Sequence, residues 1–234
     1  MTHDSSPGTG RLPCSRLLVA VTGSVHVLVV PQHLDAFRRT FAAEIRVIMT
    51  EAATHLCSPR ALEAMVGSPI ASDLWSGTGP GHVELTQWAD CFVVVPTTAN
   101  CLAKVAHGLA DDLVTTAIAA APGPVVFAPA MNRRMWETAP VQRNIAQLRR
   151  DGHLVVEPRP ALSLASGRDG EALGPVTDDV LAYMWHATMR RRRDAYWQEA
   201  TAQVPVAPSG AEPRRTVALA SRDQPVALRT RASA

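Results

Sequence analysis

The segment Leu17-Leu18-Val19-Ala20-Val21-Thr22-Gly23-Ser24-Val25 decides the fold. Its unbroken apolar run, Leu17–Val21, reads as a strand buried on both faces, because a half-exposed strand alternates with polar residues. Thr22-Gly23-Ser24 supplies turn chemistry, and the apolar-periodic stretch that follows, as far as Phe41, reads as a helix. Short apolar runs recur at Ile45–Met49, Cys91–Val95, Pro124–Phe127 and Leu154–Val156. Between and after them lie helical patterns over Pro59–Val66, Ala99–Leu109, Asp111–Ala120, Arg133–Arg150 and Thr177–Arg193. Strands alternating with helices predict a single α/β domain with a parallel sheet covered by helices on both faces. Such sheets collect their ligands beyond the carboxyl ends of the strands. The loops to inspect are therefore TGS, MTEA, VPTTAN and APAMN, while Pro158–Pro175 reads as an aperiodic Gly/Pro/Ser-rich loop.

The ends are different. Residues 1–14 read as a flexible leader, 15–193 as the folded domain, and 194–234, rich in Ala, Pro, Arg and Ser, as a disordered tail. From Ala187 onward there are nine arginines and four acidic residues, so this end carries +5 and the remainder −3 of the net +2. With 47% hydrophobic and 19% charged residues the composition is that of an ordinary globular protein. No apolar run reaches the roughly 18–20 residues of a membrane span, and the first dozen residues have no signal-peptide core. Cys14, Cys57, Cys91 and Cys101 have neither metal-ligand nor disulfide-scaffold spacing, so they read as reduced thiols. These features predict a cytoplasmic protein with no metal and no membrane contact. The Arg190–Arg193 run reads as a helix-end cap or a contact for an acidic peptide rather than a nucleic-acid patch.

Four short motifs carry the candidate chemistry, each with a plain structural reading beside it. Thr22-Gly23-Ser24-Val25 opens a helix, where free N–H groups favour an anion; Ser24 equally serves as an N-cap. Thr50, after the second strand, has the same two readings. Gly81-His82 places an imidazole at the start of a short helix, as a proton acceptor or as a surface cap. Thr97, Thr98 and Asn100 of VPTTAN suit a flat heteroaromatic ring or a carboxylate, or Thr98 simply caps a helix. In PAMNRRMW the Asn132 amide suits a carboxylate, with Met131, Met135 and Trp136 packed around it, or it is an N-cap beside a Met/Trp cluster.

In order and spacing these motifs resemble the homo-oligomeric flavin-containing cysteine decarboxylases. The carrying stretches are TGSV, GHVELTQWAD, VPTTANCLAKVAHGLADDLVTT and APAMNRRMWETAPVQRN, over about Arg11 to Trp185. That family includes phosphopantothenoylcysteine decarboxylase of coenzyme A synthesis and the peptidyl-cysteine decarboxylases of lantibiotic-type pathways. The resemblance implies a flavodoxin-like fold and a homo-oligomer built from trimers, up to a dodecamer, with the flavin at a trimer interface. The resemblance implies FMN as the cofactor, with FAD as the alternative that the phosphate turn also suits.

By the same resemblance Gly23, Ser24, Val25 and Thr50 lie near the flavin phosphate, and Pro96, Thr98, Asn100 and Thr115 near its ring or ribose. His82 is the active-site histidine, and Asn132 and Met135 meet the substrate. The family's Asp-Asn-Leu-Leu-Thr segment reads Asp111-Asp112-Leu113-Val114-Thr115 in this chain. Where the coenzyme A enzyme has Leu-Ala-Cys-Gly, this chain has Leu164-Ala165-Ser166-Gly167-Arg168. A serine hydroxyl cannot do thiol redox chemistry. The lantibiotic-type enzymes also carry Ser-Gly-Arg in this place and release the enethiol unreduced, so by resemblance Ser166, Gly167 and Arg168 imply a precursor peptide ending in cysteine as the substrate. Coenzyme A synthesis is the alternative, and a non-catalytic regulatory subunit the alternative of another class.

Overall fold

The computed structural model describes residues 12–74, 81–163 and 166–202. The main sheet has five strands, β1 (Cys14–Val21), β2 (Ala42–Met49), β3 (Cys91–Thr97), β4 (Val125–Pro129) and β6 (Leu154–Val155). Their order is β2-β1-β3-β4-β6, and every neighbouring pair is parallel. Three two- or three-residue strands, β5 (Met131–Asn132), β7 (Arg159–Ala161) and β8 (Ala172–Gly174), form a second, antiparallel sheet in the order β5-β8-β7.

The period of two along the strands divides the core. Leu17, Val19 and Val21 of β1, with Val93 and Val95 of β3, face one cluster; Leu18 and Ala20, with Phe92 and Val94, face the other. The first face is covered by α1 (Val30–Thr40), α3 (Pro59–Val66) and α9 (Thr177–Ala202), through Leu34, Phe37, Leu62, Val180 and Met184. The second is covered by α5 (Ala99–Ala106), α6 (Leu113–Ala119) and α8 (Ala139–Arg150), through Leu102, Val114, Ile118, Ile145 and Leu148. The short α4 (Gly81–Trp88) adds the half-buried Leu85 and Trp88 to that face.

The chain passes from β1 outward to β2, then returns to the other side of β1 for β3. The point where strand order reverses therefore lies between β1 and β3, and it is there that ligands of doubly wound sheets bind. Thr22, 1% exposed, ties the two strand ends together. Its hydroxyl donates to the Pro96 carbonyl at 2.8 Å and accepts from the Thr98 N–H at 2.9 Å.

Three expectations need correction. The helix read over Arg133–Arg150 is two helices, α7 (Arg133–Trp136) and α8, because Pro140 suits a first helical turn but not an interior. The loop read over Pro158–Pro175 contains β7 and β8, whose pairing is antiparallel and whose strands are too short to show a period. The last helix, read as ending at Arg193, continues to Ala202, since no Pro or Gly interrupts Thr177–Ala202. Residues 1–11, 75–80, 164–165 and 203–234, which include most of the expected leader, the GTGPG loop and most of the expected tail, lie outside the described residues.

The Arg190–Arg193 run docks α9 instead of forming a free basic patch. Arg190, Arg191 and Arg192 donate to the carbonyls of Gly152, Ala89 and Pro13 at 3.4, 2.7 and 2.7 Å. Those carbonyls precede β6, β3 and β1, so the arginines brace the amino edge of the sheet and leave the carboxyl edge to the site. No described helix is long and apolar enough to cross a membrane.

His33 of α1 makes acid stability measurable. It is 3% exposed, its Nδ1 lies 2.9 Å from Thr177 Oγ1, and its ring stacks on Phe37. Burial, with His26 nearby, pushes its pKa from the ordinary 6.5 down to about 4. The unfolded chain therefore takes up this proton first as pH falls. The contribution is fully present above pH 6.5 and is lost towards pH 4, about 3 kcal/mol in all. Chemical denaturation at pH 7 and pH 4.5 should show His33→Gln losing clearly less stability on acidification than the parent protein.

Candidate functional site

Three helix starts meet at the carboxyl edge of β2, β1 and β3, and each is capped by a residue singled out in the sequence. Ser24 caps the short 3-10 helix Val25–Val29, Thr50 caps α2 (Glu51–Thr54), and Thr98 caps α5. Their hydroxyls accept from the N–H groups of His26, Ala53 and Cys101 at 3.4, 3.4 and 3.2 Å. The plain capping reading is thus realised at all three. It does not exhaust them, because a hydroxyl that accepts still has a proton to donate. Ser24 Oγ spends its proton on the Ala130 carbonyl at 3.2 Å; the Thr50 and Thr98 hydroxyls donate to no group among the described residues. Neighbouring capped helix starts, carrying partial positive charge, suit a phosphate-bearing group.

Gly23 permits this convergence. A Cβ there would stand 2.6 Å from Ala52 Cβ and 3.1 Å from its carbonyl carbon. Gly23→Ala should push α2 and Thr50 away from the β1 turn, costing about 1–3 kcal/mol of stability. Thermal melting should show a drop of several degrees, and flavin absorbance after gel filtration should show weaker retention.

A cavity of about 170 Å³ opens beside this edge, lined by Ser24, Val25, His26, Met131, Asn132, Leu162, Ser163 and Ala172. It gathers Ser24, Val25 and Asn132 from the sequence reading. His26 was missed, and the only signal for it was its place two residues after Ser24. Asn132 is the N-cap of α7, its Oδ1 accepting the Arg134 N–H at 2.8 Å, which leaves its amide N–H groups to donate. Met131 is buried, and Met135, in the first turn of α7, is 47% exposed.

Other expected residues stand apart from the cavity wall. Pro96 is buried in β3 with its carbonyl held by Thr22, and Asn100 is exposed in the first turn of α5. Thr115, 2% exposed, belongs to a capping box with Asp112, donating to Asp112 Oδ1 through both its N–H (2.8 Å) and its hydroxyl (2.9 Å). A hydroxyl so engaged caps the start of α6. His82 is the second residue of α4, which packs on α6 and β1. Its Nδ1 is buried and has no hydrogen-bond partner among the described residues.

The β7–β8 hairpin covers the cavity. At its tip Ser166 Oγ donates to Glu171 Oε2 at 2.6 Å, and Arg168 Nη1 donates to Glu171 Oε1 at 3.2 Å. These bonds, from Ser166 first, hold the Glu171 carboxyl below the usual carboxylate range. Gly167 and Gly170 take φ of 68° and 75°, values that favour glycine. Arg133 fixes the tip by donating its Nε to the Gly170 carbonyl at 2.9 Å and its backbone N–H to the Glu171 carbonyl at 3.0 Å. All four cysteines of the chain are described, and none lines the cavity. Cys14, Cys91 and Cys101 are buried, which pushes their pKa values up to about 11, 12 and 12.

The chain was compared with known proteins. The family model described as Flavoprotein matches residues 6–188. Mersacidin decarboxylase of Bacillus sp. (strain HIL-Y85/54728) is 36% identical over 166 residues, 70% of this chain and 85% of that protein. The crystal structure of the FMN-dependent cysteine decarboxylase SpaF has a TM-score of 0.64 at 38% identity, covering 76% of this chain and 97% of SpaF. The coenzyme A biosynthesis bifunctional protein CoaBC of Bacillus subtilis (strain 168) is 40% identical over 119 residues, 50% of this chain but 29% of CoaBC. With the sheet order, the capped strand ends and a family match over most of its length, this chain belongs to the flavoprotein family.

Proposed function

We propose that this chain is an FMN-dependent peptidyl-cysteine decarboxylase. It oxidatively decarboxylates the C-terminal cysteine of a ribosomally made precursor peptide and releases an enethiol for aminovinyl-cysteine ring formation. The likeness to mersacidin decarboxylase and SpaF supports the enzyme class and the cofactor. The observation that carries the peptide reading is the thiol-free cavity. By resemblance the coenzyme A enzyme uses a cysteine in this hairpin to help the reduced flavin return its two electrons to the enethiol, and this chain has Ser166 in that place.

FMN, when bound, supplies the two-electron oxidation of the carbon bearing the substrate sulfur, which makes that carbon an electron sink for loss of CO2. Gly23, Ser24, Val25, Thr50 and Thr98, which gather at the β1/β3 reversal, would hold the cofactor. Asn132 donates its amide protons to the substrate carboxylate and fixes the bond to be broken. The hairpin, with Ser166, Gly167 and Arg168 at its tip, closes over the peptide end. His82 accepts the thiol proton. Because His82 is off the cavity wall of its own chain, it acts in a homo-oligomer, trimer-based, in which a neighbouring copy brings its imidazole to the site.

Mass spectrometry tests this reading. Flavin-loaded protein is incubated with peptides ending in cysteine and, separately, with phosphopantothenoylcysteine. A peptide loss of about 46 Da, CO2 plus two hydrogens, is expected. A loss of about 44 Da confined to phosphopantothenoylcysteine would mean net non-oxidative decarboxylation in coenzyme A synthesis.

A further inference from the structure

His26 follows the phosphate turn by two residues, and its side chain reaches the same cavity as Asn132 and Ser163. The cavity wall facing it belongs to the hairpin. On β8 the residues two apart share a face: Ala172 lines the cavity, and Gly174 meets the imidazole. A Cβ at Gly174 would lie 2.2 Å from His26 Nε2 and 2.6 Å from Cδ2. No side chain larger than hydrogen fits there unless the ring moves. The imidazole is therefore wedged between the 3-10 helix and β8, with its position dictated by what residue 174 lacks.

Burial lowers the readiness of His26 to take a proton, and the same holds for His33 behind it. The ring therefore enters the cavity neutral at ordinary pH, with one nitrogen donating and the other accepting. A neutral imidazole is poorly matched to a carboxylate, which Asn132 serves. It is well matched to an uncharged hydrogen-bonding group such as a peptide amide. Ser24, on the same wall, has its proton engaged by Ala130, so His26 is the wall group from this turn that offers a donor and an acceptor together.

We propose that His26 is a specificity-determining residue of the substrate end of the cavity, hydrogen-bonding an uncharged amide group of the peptide beside its terminal cysteine, and that Gly174 is the residue that admits it. This rests on the peptidyl-cysteine reading of the site. It separates His26 from the machinery of decarboxylation: removing the imidazole weakens substrate recognition without touching the carboxylate or the thiol proton.

Flavin-loaded His26→Ala, His26→Gln, Gly174→Ala and the double variant His26→Ala/Gly174→Ala test it against wild type. The readouts are KM and kcat on a cysteine-terminated peptide, flavin absorbance and melting temperature. His26→Ala should raise KM about tenfold, the loss of one buried hydrogen bond, with kcat within about twofold and flavin retained. His26→Gln, still neutral and able to donate and accept, should recover most of the loss. Gly174→Ala should raise KM about as much as His26→Ala, because its Cβ displaces the ring, and should add nothing in the His26→Ala background. Unchanged KM in His26→Ala overturns the proposal. So does flavin loss with KM intact, or additive effects of the two sites. If wild type converts phosphopantothenoylcysteine and no peptide, the functional reading fails on its own. The same variants then decide His26 on that substrate, where an equal KM throughout overturns its role.

Discussion

His82→Asn should leave the purified protein yellow and remove its decarboxylase activity, with kcat reduced by about 10²–10⁴, the usual contribution of a positioned proton acceptor. Asparagine keeps the approximate size of the ring and a hydrogen-bonding group, but it has no basic nitrogen. His82 begins α4, where Thr86 Oγ1 donates to its carbonyl at 2.8 Å, so the backbone at this position is held independently of the side chain. The side chain is the part left unused. Its Nδ1 is buried with no partner among the described residues, which in a folded protein costs free energy unless a ligand meets it. The check is paired: flavin absorbance after gel filtration, and peptide mass after incubation. Turnover within threefold of the parent would show that another group takes the proton.

Asn132→Asp should weaken substrate binding at least about a hundredfold while leaving the fold intact. Aspartate caps a helix as well as asparagine does, so the bond from the Arg134 N–H persists and α7 still starts at the same residue. What changes is the other end of the side chain. Two amide donors disappear, and a negative charge faces the substrate carboxylate. Like charges about 4 Å apart repel by about 4 kcal/mol at the effective dielectric of a protein surface. Exposure of Asn132 and the flanking Arg133 and Arg134 reduce that, by about half on a rough allowance, but loss of a hydrogen bond to a charged group adds about 1.5–3 kcal/mol. The sum, about 3–5 kcal/mol, corresponds to two or three powers of ten. Calorimetric titration of peptide into flavin-loaded His82→Asn, with and without Asn132→Asp, isolates binding from turnover. An affinity changed less than fivefold would remove Asn132 from the carboxylate.

The two variants together test the assembly. If His82 and Asn132 of one site come from different copies, a mixture of His82→Asn and Asn132→Asp chains regains some activity that neither has alone. Independent sites within single chains regain none.

Much of this was legible before any coordinates. The strands were readable because each carries a short, mostly apolar run bounded by turn chemistry, the pattern of a strand buried on both faces of a parallel sheet. Ser24, Thr50, Thr98 and Asn132 were readable because turn and cap chemistry is local: a short polar side chain satisfies N–H groups two or three residues ahead. Pro140 was also visible, yet the break it makes before α8 was overlooked in favour of a continuous helical pattern. The hairpin could not be seen, since β7 and β8 are three residues each and their stability comes from pairing with one another and with β5.

The sequence by itself determined the main parallel sheet, most of its helices and the polar residues at the strand ends, because apolar periodicity and capping depend on neighbours in the chain; the reversal between β1 and β3 came from the topology. Only the tertiary structure decided which of those residues share a cavity. It brought His26 against Gly174, 148 positions later, set Glu171 upon Ser166 and Arg168, and kept His82 off the cavity wall that holds Asn132. Such contacts depend on how closely backbones approach across the fold, and a missing Cβ at one position leaves no mark on the sequence near the residue it makes room for.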